Sequence, residues 1–287
     1  MFNKNINFSD LAQNLCKSKS LIFVSEVGQG AFKKTYHVRN LNGNDIALKV
    51  IMSANGGLRT EREINAMLTC DHPNVARILE ISTFDYMGDT FPFLLEDFYG
   101  GGTLEDQLKN YTAVLDPDYI YDIGITLIEA LTHIWSHNFV HRDIKPANII
   151  FRNDHTPVIT DFGLVRDLSA TSLTQTFLPQ GPGTPLFSSP EQLRNEKAMI
   201  NWRTDQFSLG ITFSICLFGY HPYSQKKSFN DNPLPSVANR NPVPNDFLQT
   251  TRKVGLPVIF KMVSPWVVER YPSPKYLLDE WTVQRRK

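Results

Sequence analysis

Two short stretches hold most of the side chains able to do chemistry. "HRDIKPANII", His141 to Ile150, sets Asp143, Lys145 and Asn148 close together, and "ITDFGL", Ile159 to Leu164, adds Asp161. A third stretch, "EVGQGAFKKTYHV" from Glu26 to Val38, contains Gly28-x-Gly30, with Lys33 and Lys34 where a third glycine would complete a phosphate-cradling loop. Two nearby glycines let a backbone come close to phosphate oxygens, yet they also suit an ordinary hairpin. Carboxylates, an amide and amines can gather phosphate charge, hold a hard cation or move a proton. Singly, each is as often a solvated residue closing a turn.

These residues need a scaffold. "SLIFVSEV", "KTYHVRN" and "NDIALKVI" are rich in β-branched and aromatic residues between Gly- and Asn-bearing turns, and are expected to be strands. "GLRTEREINAMLTC" has Leu58, Ile64, Met67 and Leu68 at helical spacing, and "FPFLLEDF" returns to strand character. From about Thr103 the pattern turns helical. In "DPDYIYDIGITLIEALTHIWSHN", Asp116 caps, Pro117 suits the first turn, and Ile120, Ile123, Leu127, Leu131 and Ile134 share one face. "FSLGITFSICLFGY" is a buried helix, too short to cross a bilayer. "SQKKSFNDNPLPSVANRNPVPND" is a Pro/Asn-rich surface loop. The expected class is α+β. An N-terminal extension (1–20), with a short helix capped by Ser9, precedes a β-rich part (21–95). A connection (96–102) leads to a larger helical part (103–287).

Composition narrows the class further. The 287 residues are 41% hydrophobic and 20% charged, and 29 basic residues balance 29 acidic ones. A core of ordinary size is therefore within reach, and no charge excess argues for nucleic acid or a membrane surface. The cysteines (Cys16, Cys70, Cys216) form no CxxC pair, and the N-terminus lacks an apolar secretory core, which points to the reducing cytoplasm.

Taken in order, the motifs resemble the eukaryotic-type protein kinase family. They are Gly28-x-Gly30, Ala47-Leu48-Lys49, His141-Arg142-Asp143 with Asn148, Asp161-Phe162-Gly163 and Ser189-Pro190-Glu191. The likeness runs from about Leu21 to Trp281 and implies a bilobal kinase fold with ATP and Mg²⁺ as cofactors. It implies Asp143 as the group that orients the acceptor hydroxyl and takes its proton, and Lys145 as a charge stabiliser. Asn148 and Asp161 become the metal ligands. Lys49 is expected on the α/β-phosphates, held by a helix glutamate; spacing in "EINAMLTCDHPN" favours Glu63, with Glu61 as the alternative. Ala47 and Ile150 would sandwich adenine beneath Thr35, the backbone of Glu96 and Phe98 would bond its edge, and Leu95 would guard the pocket behind. His141 and Phe162 are expected to be structural. Asp205 would brace the catalytic loop, and Arg270 would pair with Glu191.

Lys145 two residues after Asp143, and the segment "GTPLFSSPE" with Thr184 and Phe187, resemble the Ser/Thr type, implying a protein substrate. Arg142 implies control by phosphorylation among Ser169, Thr171, Ser172, Thr174 and Thr176, with the two last preferred, and leaves room for a regulatory partner. Lys33 at the third glycine position would be strained by about 1 kcal/mol if that position needs positive φ. Two other readings stay open: a scaffold that binds through partners, and a kinase-fold enzyme acting on a small molecule.

Overall fold

A computed structural model describes residues 6–29, 33–52, 68, 70–109, 111–161, 166–167 and 185–284. These fall into two compact units: residues up to 71 with 76–100, and residues 72–75 with those from 101 on.

The first unit begins with α1 (Phe8–Ser18). Its cap is Asn7, not Ser9: the Asn7 side chain accepts from the backbone N–H of Ser9 and Asp10. An Asn two residues earlier satisfies the first-turn donors, and Ser9 becomes a helical residue whose hydroxyl reaches Glu26 at 3.4 Å. Five strands follow: β1 (Ile22–Gln29), β2 (Lys33–Arg39), β3 (Asp45–Ile51), β4 (Ile78–Tyr86) and β5 (Asp89–Asp97). They form one sheet in the order β1-β2-β3-β5-β4, each pair antiparallel.

The strand reading missed β4, although its hairpin to β5 carries a local signal. Tyr86 pairs with Asp89 across Met87 and Gly88, both at positive φ, the two-residue turn that a twisted hairpin favours. The expected helix from "GLRTEREINAMLTC" lies outside the described residues except at Leu68 and Cys70, and Glu63 and Glu61 fall outside them.

The two faces of the sheet differ. Tyr36, Val38, Ile46, Leu48, Val50, Phe91, Phe93 and Leu95 project to one side, where they pack with Leu11, Ala12, Leu15 and Cys16 of α1. The helix is therefore part of this unit's core. Leu15→Ala is expected to cost about 2–5 kcal/mol, since Leu15 is fully buried. Denaturant unfolding measures it, and a loss below about 0.5 kcal/mol would mark α1 as an appendage.

The second unit is mainly helical. Its elements are α2 (Leu104–Gln107), α3 (Pro117–Ser136), α4 (Pro190–Leu193), α5 (Trp202–Phe218), α6 (Leu234–Ala238), α7 (Asn245–Lys253), α8 (Val258–Met262) and α9 (Pro274–Val283). Short strands β6 (Phe139–Val140) and β9 (Arg166–Asp167) pair, as do β7 (Ile149–Phe151) and β8 (Pro157–Ile159). Asp116 caps α3 as expected, accepting from Asp118 N at 2.8 Å, and the five apolar residues named for its inner face are all buried. Gly124 lets α9 approach: a Cβ there would sit 2.2 Å from the Trp281 ring. Residues of α5 are buried on every side, as its apolar run suggested. The stretch read as a surface loop contains α6, whose Val237 is fully buried, and it ends at the start of α7.

Candidate active site

In the second unit, β6 delivers the chain into a loop that Asp205 of α5 holds from below. Its carboxylate accepts the backbone N–H of His141 and of Arg142, both at 2.7 Å. The Arg142 carbonyl accepts from Gln192 of α4 at 2.8 Å. Arg142 is thus clamped on both backbone polar groups, which over-determines its left-handed conformation, φ +69°. His141 is fully buried and locks the same turn. Asp143 N donates to its Nδ1 at 3.3 Å, so Nε2 carries the hydrogen that it donates to Thr160 O at 3.0 Å.

The reactive cluster stands on this base. Lys145 Nζ donates to both carboxylate oxygens of Asp143, at 3.0 and 2.8 Å. Asn148 Nδ2 donates to the Asp143 carbonyl at 2.7 Å and to its Oδ2 at 2.8 Å. With its amide nitrogen spent in this way, Asn148 presents Oδ1 as an oxygen donor. The β7–β8 ladder sets Asn148 opposite Thr160, whose N–H donates to Asn148 O at 3.0 Å, so Asp161 follows at the same end of the ribbon. Asp161 has φ +77°, a second left-handed non-glycine residue beside the first cluster. Ile150, half-buried, pairs with Val158 in the same ribbon.

Burial pushes the Asp205 carboxyl up to about 7, against the two amide N–H groups and the Arg142 charge, which favour the ionised form. Protonation turns one accepting oxygen into a hydroxyl, so the rate is expected to fall as pH drops through about 7. Stability runs the other way. The folded value lies above the ordinary 3.8, so this group's contribution is full below about 4 and lost as pH rises through about 7. Melting temperature against pH, wild type beside Asp205→Asn, tests the sign: the variant should lack this decline, and parallel curves would refute it.

The segment after the loop is anchored independently. Glu191 and Arg270, both buried, form a two-pronged ion pair at 2.8 and 3.1 Å, as expected from the sequence. Arg270 also donates to Ser264 O at 2.8 Å and Arg203 O at 3.0 Å, and its guanidinium lies 4.7 Å from the centre of the Phe207 ring. Phe187 is buried.

In the first unit, the sheet face away from α1 carries Thr35, His37, Ala47, Lys49, Leu94 and Glu96. Register sets Thr35 opposite Lys49, His37 opposite Ala47, and Ala47 opposite Glu96. Leu95 does not guard this face: it belongs to the α1 core, because successive strand residues alternate sides. Glu96 takes that position instead, and its carboxylate forms a buried ion pair with the Lys49 ammonium. Phe98 stacks flat on His37, ring centres 4.0 Å apart. Gly28 has ordinary φ, and a Cβ there would meet no protein atom within 4 Å. Neither strain nor packing within the described residues calls for glycine at this position.

Lys33 opens β2 opposite Ile51 without positive φ, so the expected strain at the third glycine position is absent. Gly30, Phe162, Gly163, Thr184 and the hydroxyl residues Ser169 to Thr176 lie outside the described residues.

The sequence profile of the protein kinase domain matches residues 21–252. A probable serine/threonine-protein kinase PknB from Lactococcus lactis is 28% identical over 271 residues, covering 90% of this chain and 40% of that protein. Serine/threonine-protein kinase 1 of Arabidopsis thaliana is 30% identical over 207 residues, 70% of this chain and 24% of its own. The PknB protein of Mycobacterium leprae is 25% identical over 257 residues, 87% and 40% respectively. The chain thus spans under half the length of these relatives. Among the described residues no helix is long and apolar enough to cross a membrane.

Proposed function

Because the chain belongs to the protein kinase domain family, we propose that it is a serine/threonine protein kinase, transferring the γ-phosphoryl group of ATP to protein hydroxyls with Mg²⁺. The observation that carries this reading is the Asp143–Lys145–Asn148 cluster on a loop clamped by Asp205 and Gln192. Such a transfer demands positioning and charge stabilisation more than covalent chemistry from the protein.

Asp143 accepts the hydrogen of the incoming hydroxyl and aims its oxygen, and Lys145 places positive charge beside the same point. The family uses ATP and a divalent metal, and the donors here fit a hard cation: the free carboxamide oxygen of Asn148 and the carboxylate of Asp161 would hold Mg²⁺, which neutralises phosphate charge when bound. Lys49 is the proposed phosphate contact of the first unit, with Glu63 as its proposed helix partner. The open Cβ direction at Gly28 suits backbone approach to phosphate, with Gly30 as its proposed companion. Ala47, Ile150 and the backbone of Glu96 and Phe98 are the proposed purine contacts. Relatives named as serine/threonine kinases, and Lys145 itself, favour hydroxyl acceptors on Ser and Thr. A cytoplasmic location, autophosphorylation and a regulatory partner belong to the same reading.

Incubation with γ-labelled ATP, Mg²⁺ and a mixed protein acceptor, followed by phosphoamino-acid analysis, tests the acceptor class. Phosphoserine and phosphothreonine are expected. Label confined to phosphotyrosine or to a small molecule would refute it.

A further inference from the structure

The Lys49–Glu96 pair adds something that the phosphate-contact reading of Lys49, on which it rests, does not contain. The pair is made by strand geometry. Lys49 stands opposite Leu94 on β5, and Glu96 lies two residues further on the same face, the diagonal spacing that long side chains bridge. Both residues are almost wholly buried, at 5% and 2% exposure, so little solvent screens them. Neighbouring residues on this face, Ala47 and Leu94, are apolar. The opposite side of β5 is closed by the α1 core.

We propose that Glu96 is a positioning residue for Lys49 and a built-in competitor of the nucleotide phosphates. Its carboxylate fixes the ammonium on the sheet before ATP arrives, and binding then requires Lys49 to be shared between Glu96 and phosphate oxygens. The negative charge of Glu96 also repels the incoming phosphates across a poorly screened gap. Glutamate therefore loosens nucleotide binding while it preorganises the lysine. The two effects separate by substitution. Glu96→Gln keeps an oxygen for the ammonium but removes the charge, Glu96→Asp keeps the charge on a shorter stem, and Glu96→Leu removes charge and acceptor together.

Calorimetric titration of the folded proteins with Mg-ADP, beside kcat and KM for ATP, tests this. Glu96→Gln is expected to bind nucleotide about tenfold more tightly than wild type, the scale of one like-charge repulsion at a partly screened site. Glu96→Asp should stay within about threefold of wild type, a shift of well under one such repulsion. Glu96→Leu should show a lower kcat than Glu96→Gln, its ammonium having lost the β5 acceptor. A purely structural glutamate would lower the melting temperature of all three variants without ordering their affinities by charge. Unchanged or weaker nucleotide binding in Glu96→Gln, or equal tightening in Glu96→Asp, would overturn the proposal. Absence of nucleotide binding by the wild type would overturn it together with the phosphate-contact reading; binding by wild type without the Gln effect overturns the proposal alone.

Discussion

Asp143→Asn is expected to lower phosphoryl transfer by about 10²–10⁴-fold, the range lost with a positioned general base. The substitution is nearly isosteric. It leaves Asp205 and His141 to hold the loop, removes the charge that pairs with Lys145 and accepts the hydroxyl hydrogen, and leaves one side-chain oxygen to accept from Lys145 or Asn148. Side chains of Asp143 and Lys145 are both about one-fifth exposed, so the lost pair is screened and contributes little to folding. The melting temperature should stay within a few degrees of wild type, and steady-state kinetics on the same sample separates rate from stability. A folded variant that transfers phosphate at the wild-type rate would remove Asp143 from the chemistry.

Arg270→Ala should have the opposite profile, with a large loss of stability as its first effect. Both ends of the Glu191–Arg270 pair are fully buried, and the guanidinium satisfies three backbone carbonyls besides. Removing one member of such a pair strands the other charge, at a cost of about 3–5 kcal/mol. That corresponds to a fall in melting temperature of roughly 10 °C for a domain of this size. Burial pushes the Glu191 carboxyl up, but the Arg270 charge and hydrogen bonds outweigh it and hold it below the ordinary 4.5. A group held low contributes stability above its unfolded value and loses it as pH falls, so wild type should soften in acid along this axis while Arg270→Ala should not. Differential scanning calorimetry across pH reads both. A loss under 1 kcal/mol would mean the pair is replaceable by packing.

Much of the site was legible because chemistry constrains residue type and order together. Asp143, Lys145, Asn148 and Asp161 stand within two short motifs, and the brace at Asp205 and the Glu191–Arg270 pair followed from the same likeness. Periodicity found α3 and its cap, because Asp116-Pro117 and a five-residue apolar stripe agree. Other features depend on geometry that no single stretch carries. Whether Leu95 or Glu96 faces Lys49 is a matter of β3–β5 register, and a one-residue difference exchanges the sheet's two faces. The competing carboxylate was hidden for that reason. Asn7 rather than Ser9 caps α1 because two residues in the same short stretch are both good caps, and only the helix phase that buries Leu11 and Leu15 decides between them. β4 has a weak signal in the sequence because its residues alternate poorly between buried and exposed, and its hairpin turn of Met87 and Gly88 is not the Asn-Gly pair most typical of two-residue turns.

The chain is proposed to move a phosphoryl group from ATP to protein hydroxyls through Asp143. Intact-mass analysis with fragment mapping of a protein acceptor, after incubation with the wild-type chain and Mg-ATP beside Asp143→Asn, is the decisive measurement. Phosphate on Ser or Thr with wild type, and none with the variant at matched folding and nucleotide saturation, is the predicted result. Wild-type protein that binds Mg-ATP yet phosphorylates no protein, itself included, would rule out this activity and favour a nucleotide-binding scaffold.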